Sequence, residues 1–209
     1  MITKDKVIEY LDELFPDARC ELHYNKDYEL LIATVLSAQC TDKRVNQVTS
    51  ELFSKYDIAS LSNASLKDIE KIIRPVGTFT RKAMYIKTIA EELVKKQNGV
   101  VPNDREFLES LPGVGRKTCN VVLSNIYNVP AIAVDTHVER VSKRLDLARK
   151  NDTVNVVEKK LMKKFPQDKW SRLHHQMVLF GRYKCKSIAP NCTDCKFQEY
   201  CKYFKAKRK

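Results

Sequence analysis

Four cysteines crowd the C-terminal end of this sequence: Cys185, Cys192, Cys195 and Cys201, in the spacing C-x6-C-x2-C-x5-C. Thiolates packed this closely along a chain can enclose a soft metal centre, and on chemistry alone a zinc ion with four thiolate ligands meets the requirement. Lys184 and Lys186 flank the first of them, so a metal-pinned loop would hold two positive charges rigidly against phosphates. A second chemical feature is the turn Leu111-Pro-Gly-Val-Gly115, which leads into a helix beginning near Arg116. Pro112 fixes its own φ and removes a donor, while Gly113 and Gly115 let the chain turn tightly. A helix N-terminus exposes unpaired N–H groups and carries partial positive charge. Gly113, Val114, Gly115 and Arg116 therefore form a candidate phosphate-binding turn.

A helix expected over Asp104–Ser110 precedes this turn, giving a helix–hairpin–helix. The hairpin runs on into Arg116-Lys117-Thr118 and is followed by Ala133-Val134-Asp135-Thr136-His137. Together these segments resemble the endonuclease III family of DNA glycosylase/lyases. The resemblance implies that Lys117 is the nucleophile and Asp135 its partner. It implies a base excision repair enzyme that removes oxidised pyrimidines from duplex DNA and then cleaves the abasic site by β-elimination through a lysine Schiff base. It also implies that the cysteine quartet holds a [4Fe–4S] cluster, since the family uses this spacing. A flipped-out nucleotide leaves a gap in the duplex. In the family a glutamine from an L-S-A-Q segment enters that gap, which matches Gln39 in Leu36-Ser37-Ala38-Gln39. A second filler, usually leucine, follows a glycine; here Pro75-Val76-Gly77 puts Thr78 at that place, a departure from the pattern. Two alternatives stand beside this reading. A monofunctional glycosylase of the same superfamily typically lacks the hairpin lysine, and a non-catalytic helix–hairpin–helix DNA-binding protein has no need of Asp135.

The elements that must position these residues read as helices throughout. Val7, Ile8, Leu11 and Leu14 put one apolar face on a helix over residues 4–15. Residues 28–39 are apolar nearly all round, which predicts a buried central helix. Asp42 is expected to cap a helix running to about Tyr56. Ser65-x-x-Asp68 suggests a capping box for a helix through Ile73. Arg74–Gly77 is expected to be a loop, because Pro75 disfavours α geometry at Arg74. A long helix over Phe79–Gln97 should stop at Asn98-Gly99. Thr136-x-x-Glu139 predicts a further capping box and a helix through Leu147; helices over 153–164 and 170–183 follow, and the charged tail Lys202–Lys209 should fray. No segment alternates with period two, so the fold class is all-α, with about ten helices expected. The family resemblance adds a two-lobed arrangement flanking a cleft: 20–128 as a continuous lobe, and 1–19 with 129–209 as a discontinuous lobe carrying the cluster.

Composition agrees with a nucleic-acid partner. Lys and Arg outnumber Asp and Glu by 38 to 26 in 209 residues, a net charge of +12. Such an excess favours a polyanionic partner; the family resemblance implies that this partner is double-stranded DNA containing damaged bases or abasic sites. No apolar run approaches a membrane span, and the charged N-terminus lacks the apolar core of a signal peptide. The expectation is a monomeric, cytoplasmic or otherwise intracellular protein (in a bacterium, at the nucleoid) with no targeting segment. Seven cysteines in such a compartment argue for metal ligation or buried thiols rather than disulfides. Cys20, Cys40 and Cys119 are expected to be small buried residues.

Overall fold

The computed structural model describes residues 2–207, and every regular element among them is helical. The α-helices are α1 (Lys4–Leu14), α2 (Asp27–Leu36), α3 (Asp42–Lys55), α4 (Ile58–Asn63), α5 (Leu66–Ile73), α6 (Phe79–Gln97), α7 (Arg105–Ser110), α8 (Arg116–Tyr127), α9 (Thr136–Arg144), α10 (Val154–Lys164), α11 (Trp170–Leu179) and α12 (Lys202–Lys207). The chain divides into two compact units. One is Cys20–Tyr127, holding α2 to α8; the other joins Met1–Arg19 to Asn128–Lys209 and holds α1 and α9 to α12.

The Cys20–Tyr127 unit is built on α2. All of its residues from Tyr28 to Leu36 are buried, so it has no face to give to water and must be surrounded. It packs against α3, α6 and α8, while α4 and α5 cover the rest of α6. Each fully buried Leu or Ile here contributes roughly 1.5–3 kcal/mol of transfer free energy. Glu29 anchors the start of α2 by accepting from the backbone N–H groups of Asn25 (2.7 Å) and Lys26 (3.3 Å).

The other unit collects Val7, Tyr10 and Leu11 of α1 with Val138 and Val141 of α9, Val157 and Leu161 of α10, and Leu173 and Met177 of α11. Phe180 and Phe197 complete this core, both edge-on to the Tyr10 ring. After α11 the helix widens into a π-turn over Phe180–Lys184. Gly181 lies in that turn and faces α9, where a Cβ would come within 2.8 Å of His137 Cβ.

Several local expectations change. The central helix stops at Leu36 rather than running to residue 39. Thr41, not Asp42, is the N-cap of α3, its hydroxyl accepting from the Arg44 N–H. Arg74 is αR despite Pro75, and Arg74–Val76 is a 3-10 turn rather than an open loop. Asp135, not Thr136, caps α9, which ends at Arg144. The expected helix over 170–183 divides into α11 and the π-turn. Helix α4 went unpredicted because six residues carry too little periodicity. The tail forms α12 up to Lys207; Arg208 and Lys209 lie outside the described residues. The Ser65 cap of α5 and the Asn98-Gly99 stop of α6 are as expected. No helix among the described residues is long and apolar enough to cross a membrane.

The close approach of the π-turn to α9 yields a test. Gly181→Ala forces two backbone segments apart, because the atom it meets is a Cβ and not the end of a flexible chain. It should lower stability by about 1–3 kcal/mol, measured as a drop in the thermal midpoint by circular dichroism. An unchanged midpoint would mean the turn has slack.

Candidate functional site

The hairpin is shaped by one glycine. Gly113 has φ +78°, and a Cβ there would meet the Tyr85 ring at 2.6 Å and Val35 at 3.3 Å. The turn is thus pressed against α6 and α2. Gly115 is different: it is exposed, its φ is not positive, and open space surrounds it. Gly113, Gly115, Arg116 and Lys117 are all exposed, whereas Val114 is buried and can offer a ligand only its backbone. Lys117 stands in the first turn of α8. Arg105 of α7 joins the two hairpin helices, donating to Asn120 of α8 and to Glu109 of its own helix, each at 2.7 Å.

Two further turns of the same unit carry Gln39 and Thr78. Both side chains are exposed, and both backbones are left-handed, with φ +55° and +43°. A non-glycine residue in that region is disfavoured by about 1–3 kcal/mol and persists only where its surroundings enforce it. Neither residue has a helix-ending duty to explain the strain. Gln39 lies three positions beyond the end of α2, and Thr78 sits at the N-cap of α6 without a side-chain capping bond.

What enforces these turns is a residue that sequence reasoning passed over. Lys82 of α6 is 4% exposed. Its ammonium donates to the carbonyls of Leu36 (2.9 Å), Ala38 (2.7 Å) and Val76 (3.0 Å). Burial lowers its pKa, the proximity of Cys40 opposing. The signal was present: Lys82 falls on the stripe of Ile86, Ile89 and Leu93, the apolar face of α6.

In the other unit, Asp135 caps α9 through one oxygen. Its Oδ1 accepts from the N–H groups of His137 (2.9 Å) and Val138 (2.8 Å), and Oδ2 is not used in the cap. Further along α9, Arg140 donates to the Gly181 carbonyl (2.6 Å) and the Cys185 carbonyl (3.1 Å). Arg144 donates to the carbonyls of Lys186 (2.7 Å) and Ser187 (3.1 Å) and to Cys185 Sγ (3.2 Å), and lies over the Tyr203 ring at 4.0 Å. The helix that begins at Asp135 thus grips the first cysteine loop.

The four cysteines line one small pocket with Leu145, Phe180, Phe197 and Tyr203. Burial pushes the Cys185 and Cys195 thiols up, with Arg144 opposing the effect at Cys185. No group of three or more His, Cys, Asp or Glu among the described residues converges tightly enough to hold a single ion. Lys186 is exposed, but Lys184 is turned inward and paired with Asp194 at 3.0 Å. Of the remaining cysteines Cys119 is buried, as expected, while Cys20 and Cys40 are only half-buried.

Residues 32–167 match the sequence profile described as HhH-GPD superfamily base excision DNA repair protein. The chain belongs to this superfamily. The HhH-GPD match takes in Gln39, Thr78, the hairpin, Lys117 and Asp135 and stops short of the cysteines. Whole-chain relatives extend it. Endonuclease III of Bacillus subtilis (strain 168) is 46% identical over 196 residues, covering 93% of this chain and 90% of that protein. Two solved structures superpose over all of both chains with a TM-score of 0.95: a non-covalent endonuclease III–DNA complex, 49% identical, and a trapped endonuclease III–DNA covalent intermediate (estranged-adenine complex), 48% identical.

The cap at Asp135 can be tested apart from any activity of this HhH-GPD protein. Asp135→Asn keeps an Oδ1 acceptor and should leave the unfolding free energy from urea denaturation within about 0.5 kcal/mol of wild type. Asp135→Ala removes the acceptor and should cost about 1 kcal/mol. Equal losses for both would mean that the charge, not the cap, holds this helix start.

Proposed function

We propose that this protein is a base excision repair enzyme with two linked activities, a DNA glycosylase for oxidised pyrimidines and an abasic-site lyase. The observation that carries the proposal is the full-length likeness to an endonuclease III–DNA covalent intermediate, with an exposed lysine on the helix that follows the hairpin. An amine nucleophile is what a covalent sugar adduct with subsequent strand cleavage requires.

In this mechanism the hairpin N–H groups and Arg116 hold the phosphate backbone, and the damaged nucleotide is turned out of the stack. The deprotonated Lys117 Nζ attacks C1′. The bond to the base breaks, and the base leaves with the bonding electrons and takes up a proton. Ring opening gives an imine between Nζ and C1′. The imine acidifies the C2′ proton; its removal moves electrons to break the C3′–O bond and expel the 3′ phosphate. Asp135 acts through Oδ2, the oxygen the cap leaves available, stabilising positive charge that develops on the sugar or accepting a proton. Gln39 and Thr78 fill the gap in the duplex. Threonine is a shorter and more polar wedge than the leucine usual in the family, so Gln39 does most of the filling.

The cysteine quartet fits a [4Fe–4S] cluster. The four cysteines line one pocket with apolar walls, and their C-x6-C-x2-C-x5-C spacing is the one the family uses for such a cluster. When bound, the cluster cross-links the loop; the cleavage steps themselves transfer no electrons. Cys185, Cys192, Cys195 and Cys201 hold it, Arg140 and Arg144 hold the loop, and exposed Lys186 is the lysine of this loop that meets phosphate. The purified protein should contain about four iron atoms per chain by metal analysis; one zinc and no iron would refute the assignment.

Borohydride trapping tests the central step. Wild-type protein mixed with abasic duplex and reductant should give a covalent band on a denaturing gel. Lys117→Gln should bind the same duplex and give none. Asp135→Asn should cut base excision at least tenfold with the fold intact. Trapping by Lys117→Gln at the wild-type level would move the nucleophile elsewhere.

A further inference from the structure

Gln39 and Thr78 stand on separate turns, far apart in sequence, yet each must reach the same gap in a duplex. Nothing in the local sequence of either turn sets its position relative to the other. Lys82 does. The Ala38 carbonyl that it holds belongs to the peptide unit that supplies the Gln39 N–H, so the ammonium fixes the plane from which Gln39 projects. The Val76 carbonyl that it holds belongs to the peptide unit leading into Gly77, directly ahead of Thr78. The third bond, to Leu36, fixes the end of α2, where the first turn begins. An ammonium has three donors, and all three are used on carbonyls. Both projecting residues have left-handed backbones, which a loose turn would relax.

We propose that Lys82 is a positioning residue for gap filling: it locks the Gln39 and Thr78 turns into one preformed wedge, so that both enter the duplex without having to be ordered at the moment of extrusion. The proposal rests on the gap-filling reading above. Lys82 itself is buried beneath the turns and touches no DNA in this role.

The prediction is specific to distorted duplexes. Lys82→Met preserves length and removes the donors. It should bind undamaged duplex within about twofold of wild type, because phosphate contacts are elsewhere. It should lose about tenfold or more in affinity for a duplex holding a tetrahydrofuran abasic analogue. A fluorescent base analogue beside the lesion should brighten less on binding.

A double-mutant cycle separates positioning from general stability. If Lys82 acts through the wedge, Lys82→Met should cost at most about twofold more in a Gln39→Ala, Thr78→Ala background. Losses that multiply in full would assign Lys82 to overall stability alone and overturn the proposal. Circular dichroism checks that each variant is folded. Should Lys82→Met not fold, Lys82→Arg goes through the same cycle, since it keeps a buried cation and donors but cannot place three of them tetrahedrally. Wild-type protein that fails to prefer the abasic duplex, or a Gln39→Ala, Thr78→Ala variant with undiminished preference, would instead sink the gap-filling reading itself.

Discussion

Helix α2 has no polar side, and that constraint shapes the unit around it. A helix buried on every face still ends in carbonyls that have lost their helical partners. Water is the usual remedy at a surface, but the end of α2 lies under other elements. A lysine from α6 is the solution here: its ammonium supplies donors to Leu36 and Ala38 and reaches across to Val76. An ammonium and a set of carbonyls each cost free energy to bury alone, and each removes the other's penalty. Three lengths of backbone become interdependent through one side chain. The next turn of the same helix presents Tyr85 to Gly113, so α6 also sets where the hairpin rests.

The second unit solves a related difficulty with arginine. The segment from Cys185 to Cys201 contains little regular structure, only the short 3-10 turn Gln198–Tyr200. Loops of that kind expose backbone carbonyls that need donors. Arg140 and Arg144, one turn apart on α9, reach several of them with planar forks. The helix whose first residue is capped by Asp135 is therefore rigidly joined to the cysteine loop.

Much of this was legible in the sequence, and the exceptions share a cause. A helix start was readable where a Ser made a cap with a local partner, as at Ser65; the start of α7 falls one residue later than expected, with Asp104 as its cap. The α9 start was displaced by one residue because Thr136 and Asp135 are both good caps and only geometry chooses between them. The cysteine quartet stood out by its spacing, because that pattern lies within one short stretch of the chain. Lys82, Arg140 and Arg144 were not legible as supports, because their partners are backbone carbonyls, which every sequence contains. Arg140 and Arg144 were visible only as charges on a helix, and Lys82 only as an oddity on an apolar stripe. Lys184 misled for the opposite reason: a lysine beside a basic loop reads as exposed until Asp194, ten residues on, turns it inward.

The π-turn at Phe180–Lys184 acts as an angular offset in the chain. An α-helix advances about 100° per residue, so accommodating one additional residue in a single turn rotates everything downstream by about that amount. Gly181 is thereby brought against α9, and Cys185 departs with its carbonyl toward Arg140 and its sulfur toward Arg144. Had α11 continued with ordinary pitch, the first cysteine would leave on a different bearing from the other three. The wide turn is a phase correction between a helix built to fill a core and a loop that brings the four cysteines to one pocket.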